Sequence, residues 1–260
     1  QYKIIFRNTV HHITLYDTCM ITFLTNYITF ISMDYNRLLT WDPEVKLRHQ
    51  DLSVCLGIIN GVNNKAEPPD LKEIIGKVTS KLKNSFTLDQ IKTEPFTRSY
   101  RDFYWRLNID PTKVRPASEA LVRRILADKP FPRISPAVDL YNLASVETFI
   151  ALSGYDYNKI AFPLNICLSR PGDVFRGIGM KEYETLKGNE IIVADKEKII
   201  CIYPYRDSEL SKIVASSSKL LILGYSVPGV SKEKVRLAVV KAYENISRIC
   251  GGELEFIGMF

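Results

Sequence analysis

The densest group of reactive side chains in this 260-residue chain lies at 203–212, reading Tyr-Pro-Tyr-Arg-Asp-Ser-Glu-Leu-Ser-Lys. It follows one apolar run and precedes another. That pattern predicts a loop at a strand end, where binding and catalytic residues are commonly held. Asp207 and Glu209 stand two apart beside Arg206, with Ser208 and Lys212 close by. Two carboxylates next to a guanidinium can orient a water or hold hydroxyl groups. The same residues also fit a charged turn whose local ion pairs contribute little.

A second feature is the placement of charge. The chain carries 35 Lys and Arg against 29 Asp and Glu, a formal charge of +6. Twelve of those cations and six of those acids fall within 81–133, so this segment holds the entire excess. Arg101, Arg115, Arg123 and Arg124, interleaved with Tyr100, Tyr104 and Trp105, offer phosphate contacts and stacking surfaces for RNA. A solvated face is the competing account. Phe103 and Trp105 are expected to pack in the core.

Several chemistries find no support. No G-x-G-x-x-G, P-loop, H-E-x-x-H or G-x-S-x-G pattern occurs, so no nucleotide cofactor is expected. The five cysteines (Cys19, Cys55, Cys167, Cys201, Cys250) are scattered without a C-x-x-C pair, and there are three histidines. No metal site is expected from that inventory, and a reducing, cytoplasmic setting fits it. Cys55, Cys167 and Cys201 sit in apolar runs and read as small core residues. An apolar fraction of 46% with 25% charged residues is that of a globular chain and excludes collagen-like and disordered classes.

No run reaches the roughly 18 apolar residues that cross a bilayer, so no membrane contact is expected. The apolar stretch 20–31 is interrupted by Asn26. Residues 1–44 read as an N-terminal extension and 45–260 as the domain. Within the extension, 1–32 is expected not to belong to the domain, with a start at Met33. An added edge strand or a membrane-contacting arm is the alternative.

The elements that must carry the cluster follow from periodicity. Residues 53–60 predict a buried strand. Helices are predicted at 71–83 with Asp70 as N-cap, at 95–107, at 116–127 with an apolar stripe of Ala117, Ala120, Leu121 and Ile125, and at 136–152. Strands follow at 162–168, 190–195, 198–203 and 219–225, the middle two joined by a tight turn at Asp195–Lys198 as a hairpin. Ser231 caps a last helix of about 18 residues that Gly251-Gly252 ends. Helices, then strands, then a helix give an α/β (α+β) fold with a mixed β-sheet packed by helices.

The run 99–160, which contains Val-Asp-Leu-Tyr-Asn at 138–142, together with the later Tyr-Arg-Asp-Ser-Glu at 205–209, resembles free-standing relatives of a tRNA-editing domain. The parent is the B-three/B-four domain of the phenylalanyl-tRNA synthetase beta subunit, and the resemblance covers roughly 45–260. It implies trans-acting hydrolysis of mischarged aminoacyl-tRNA, with the charged 3′ end of tRNA as partner and a monomeric protein. The parent's glutamate that recognises a tyrosine hydroxyl falls on Glu209, and its Asp and Asn fall on Asp139 and Asn142. Its pocket histidine falls on Ser153, and its glycine-rich wall becomes 203–208. On this basis Glu209 and Asp207 are the expected catalytic pair. Arg206, Ser208, Lys212, Tyr203, Asp139, Asn142 and Ser153 are expected around the substrate. A non-catalytic RNA-binding module and a small-molecule enzyme on the same fold are the two alternatives.

Overall fold

The computed structural model describes residues 2–6, 9–13, 35–65 and 68–260. Two compact units are distinguished, Gln1–Arg37 and Leu38–Phe260. In the first, β1 (Tyr2–Phe6) pairs antiparallel with β2 (Thr9–Ile13). The expectations for 14–32, the stretch 20–31 among them, lie outside the described residues.

The second unit is built on two sheets. One is antiparallel, with order β13-β4-β12-β5: Glu253–Met259, Val54–Asn60, Lys219–Tyr225 and Leu152–Asp156. The other is mixed, with order β11-β10-β9-β6-β3: Arg206–Asp207, Ile199–Ile202, Ile191–Ala194, Leu164–Leu168 and Leu39–Trp41. Only its β3–β6 pair is parallel. A mixed sheet packed by helices is thus the α/β architecture of this chain. Because β3 pairs with β6, the unit takes in Leu39–Trp41, ahead of residue 45.

The helices are α1 (Pro43–Arg48), α2 (Pro69–Ser85), α3 (Pro95–Arg106), α4 (Ala117–Leu126), α5 (Pro136–Thr148) and α6 (Lys232–Cys250). Ser231 caps α6 by accepting from the Lys234 amide. Val235, Ala238, Val239, Ala242 and Ile246 are the buried stripe. This helix lies close on β4 and β12 because both strands carry a glycine beneath it. A Cβ at Gly57 or at Gly224 would come within 2.8 Å of Val239. Helix α5 packs on α6 and β5, and α2 and α4 pack on α5. The β9–β10 hairpin is tied by Asp195, whose carboxylate accepts from the Glu197 and Lys198 amides, the Ala161 amide and Lys198 Nζ.

Several expectations are corrected. Asp70 is not the N-cap of α2; the helix begins at Pro69, whose fixed φ suits a first helical position. Helix α5 stops at Thr148, because Phe149 turns left-handed at φ 60°, and Leu152 already belongs to β5. The glycine pair 251–252 does more than end α6: it leads into strand β13. Trp105 is 53% exposed. Helix α3 buries Thr97, Tyr100, Phe103 and Tyr104, and Trp105 falls off that face. Helix α4 buries Ser118, Glu119, Val122 and Ile125, turning Ala120 out to solvent. Cys55 and Cys201 are buried as expected, whereas Cys167 is half-buried.

Among the described residues, no helix is long and apolar enough to cross a membrane. Among the same residues, no three His, Cys, Asp or Glu converge as metal ligands would.

Candidate functional site

The segment 203–212 leaves β10, turns through a cis Tyr203–Pro204 bond, and returns as β11. Tyr203 is buried. Its hydroxyl donates to the Ser226 carbonyl, and its ring packs edge-on against Tyr225 and Phe103, at 5.0 and 6.3 Å between centroids. It is a core residue that ties the two sheets together.

Asp207 also faces inward. Its carboxylate accepts from the Tyr155 hydroxyl, and the Tyr155 and Tyr225 hydroxyls meet at 2.9 Å. Ser153 and the Cys201 thiol are its other side-chain partners. Burial raises the pKa of Asp207 from the usual carboxylate value, and those three hydrogen bonds offset part of the rise. Tyr155, Tyr225 and Cys201 are pushed upward by burial as well, so they stay neutral while Asp207 titrates.

That direction fixes a pH dependence. An acid whose pKa is higher in the folded chain favours its protonated, folded form. Its contribution is full below about pH 3.9, the unfolded carboxylate value, and is lost as pH rises through the folded value. Asp207→Asn removes this titration. The stability difference, variant minus parent, should therefore move in the variant's favour as pH rises from about 3 to about 7. Chemical denaturation across that range is the measurement, and a difference that stays flat would show Asp207 to be unperturbed.

Glu209 is placed differently. It is half-buried and paired with Lys212. The Lys212 hydrogen bond and charge, the Gly179 amide and Arg176 hold its carboxyl below the usual range, so it is ionised at neutral pH. The loop between β7 (Val174–Phe175) and β8 (Glu184–Thr185) runs beside it. The Glu209 amide donates to the Arg176 carbonyl, the Ile178 amide donates to the Asp207 carbonyl, and Gly177 bridges Ser208. Arg176, Ile178, Gly179, Met180, Lys181, Glu209 and Lys212 line an open cavity of about 590 Å³. One carboxylate therefore shares a recess with three cations. The Arg176 guanidinium lies 5.2 Å from the Tyr183 ring centre, which fixes its plane.

Arg176 and Lys181 were not singled out from sequence. The signal was the Gly-Ile-Gly at 177–179. Gly177 leaves room for the Arg206 stem, since a Cβ there would meet Arg206 Cδ at 2.5 Å. Gly179 takes φ +83°, a conformation natural to glycine.

The remaining expected residues scatter. Ser208 is buried, and its hydroxyl accepts from the Leu210 amide. Arg206 is half-exposed and lies along Gly177. Ser153 reaches Asp207, so that pair is brought together. Asp139, 1% exposed, accepts from the Ile134 amide and from Arg133 Nε, which makes it a brace for the start of α5. Asn142 is half-buried on the same helix. Tyr141 stands between the two sets, its hydroxyl raised by burial and then by both Asp207 and Asp139.

The four arginines serve two settings, and Arg123 belongs to both. Arg101 Nη1 donates to both oxygens of buried Glu119, at 3.0 and 3.2 Å, and Arg123 Nη1 lies 4.0 Å from the same carboxylate. These two are held in an internal network. Arg115, Arg123 and Arg124 line a separate groove that shares no residue with the Glu209 cavity.

Comparison with known proteins gives a family and a distant structural likeness. The family model of the B3/4 domain matches residues 99–251. No curated protein matches the sequence. Among solved structures, the chain is similar to an N-terminal fragment of the phenylalanyl-tRNA synthetase beta-subunit from Pyrococcus horikoshii. The identity is 13% and the TM-score 0.45, with 85% of this chain covered. This chain spans about half of that one, 53% of its length.

Proposed function

The chain belongs to the B3/4 domain family, and from that premise we propose that it takes the charged 3′ end of tRNA and hydrolyses a wrongly attached amino acid in trans. The observation that carries the reading is the Glu209 recess, an ionised carboxylate with Lys212, Arg176 and Lys181 around one open cavity. An aminoacyl-tRNA end presents the complementary set, an ammonium group close to phosphates.

In this reading Glu209 accepts hydrogen bonds from the ammonium or a side-chain hydroxyl of the amino acid. Lys212, Arg176 and Lys181 bind the terminal ribose-phosphate. Water adds to the ester carbonyl carbon and the bond to the ribose oxygen breaks. The proton lost by the water ends on that oxygen. The neighbouring ribose hydroxyl is the proton carrier, since Glu209 is held as too weak a base for the task. Asp207, bonded to Tyr155, Ser153 and Cys201, positions the strand that presents Glu209 and does not touch substrate.

The test is a panel of mischarged tRNAs incubated with the full chain while ester loss is followed. Loss of at least one mischarged species, with the correctly charged ones spared, is the expected result. tRNA binding without ester loss for any species would replace this function by the non-catalytic module. Ester loss only from free amino acid esters, with no tRNA bound, would replace it by a small-molecule hydrolase.

A further inference from the structure

Helix α4 turns Ala120 and Leu121 away from the side it buries. Its inward side is Ser118, Glu119, Val122 and Ile125, while Ala120 is exposed and Leu121 half-exposed. Together with Leu88, Ala127 and Pro132 they form the aliphatic floor of a groove of about 610 Å³. That volume falls within the ~300–1,000 Å³ of ordinary ligand sites. Its rim carries five cations, Lys113, Arg115, Arg123, Arg124 and Lys129. Among the described residues, no acidic one lines it.

The rim is held in place. Arg123 Nη1 donates to the Leu88 carbonyl while lying near Glu119, and Arg124 Nε donates to the Pro130 carbonyl at 2.6 Å. Among the described residues, no carboxylate lies within ion-pair distance of Arg115, Arg124 or Lys129.

We infer that this groove docks an acidic amphipathic segment of a partner protein. Apolar side chains of the partner lie on Leu88, Ala120, Leu121 and Pro132, and its carboxylates meet Lys113, Arg115, Arg124 and Lys129. Charge complementarity selects an anionic occupant, and the floor selects its class. Proteins that grip single-stranded RNA combine a cationic groove with aromatic side chains on which successive bases stack. Among the described residues that line the groove, none is aromatic. An aliphatic floor within a ring of cations instead matches a helix with apolar residues at i, i+3 or i+4 flanked by Asp and Glu. The groove shares no residue with the Glu209 cavity, so the inference is independent of the proposed hydrolysis.

The probe is a displayed library of random peptides about 16 residues long, selected on the immobilised full chain. Enriched peptides should place Leu, Ile or Phe at helical spacing beside Asp or Glu. The best of them, labelled and titrated against the chain, should bind at least tenfold more weakly to the double variant Arg115→Glu/Arg124→Glu. Leu121→Asn should weaken it comparably while leaving the rim charges intact. Raising salt from about 50 to about 500 mM should also weaken binding. Arg115 and Arg124 are exposed and Leu121 is half-exposed, so both variants should stay folded, with melting temperatures within a few degrees of the parent's. Selection without an acidic amphipathic pattern, or binding undiminished in both variants, overturns the inference. So does a single-stranded RNA oligonucleotide that binds where peptides do not and is lost in the double variant.

Discussion

Glu209→Gln should slow deacylation of a susceptible mischarged tRNA by about 10–100-fold. That is the worth of one charge-assisted hydrogen bond of about 1.5–3 kcal/mol, read as a rate. The substitution keeps the size and one carbonyl oxygen but removes the charge that answers an ammonium. It also releases Lys212 from its pair. Glu209 is half-exposed, and its cavity opens to solvent, so the melting temperature should stay within about 2 °C of the parent's. The pH profile supplies a second readout. The Lys212 hydrogen bond keeps the carboxyl below its ordinary range, so no acid limb from this group should appear above about pH 4.5. Lys212→Ala weakens that hold. It should raise the acid limb and cost several-fold in rate, less than the loss of the carboxylate itself. Single-turnover rates of the three proteins on one mischarged tRNA decide the matter. A Glu209→Gln rate within twofold of the parent's would remove Glu209 from the site.

The contrast between Asp207 and Glu209 marks what the sequence could convey. Both are acids in one polar cluster, two residues apart, and local pattern assigns them one role. Their difference comes from what other parts of the chain bring. Tyr155 and Ser153 arrive on β5 and enclose Asp207. Arg176 and Lys181 arrive on the β7–β8 loop and face Glu209. Strand pairing at long range decides this, and no short window holds the information. The regular elements were legible for the opposite reason. The stripe of α6, its Ser231 cap and the Asp195 turn of the β9–β10 hairpin are each satisfied by residues a few positions apart. Helix α4 departs from its apolar periodicity because its buried face contains a carboxylate. Pattern reading assigns Glu119 to solvent, yet two arginines from α3 and α4 make its burial tolerable.

That network carries the largest expected effect on stability. Glu119 is 1% exposed and faces Arg101 and Arg123, whose side chains are 16% and 24% exposed. Glu119→Ala leaves two guanidiniums without their counter-charge and opens a gap beneath α3. Removing one partner of a buried pair costs about 3–5 kcal/mol. The lower end applies, since both arginines retain some access to water. About 3 kcal/mol corresponds to a fall in melting temperature of roughly 6–12 °C for a domain of this size. Glu119→Gln keeps the shape and one acceptor for Arg101, so it should cost less. Arg101→Met/Glu119→Leu, which removes the hydrogen-bonded pair together and leaves only the more exposed Arg123, should recover part of the loss. Equilibrium denaturation of the four proteins gives the comparison. A cost below about 1 kcal/mol for Glu119→Ala would make this an ordinary surface pair. The expected cost would instead mean that Arg101 and Arg123 hold the fold. Their removal would then weaken any bound partner mainly by loosening α3 and α4, and only Arg115 and Arg124 of the four would report directly on what this surface binds.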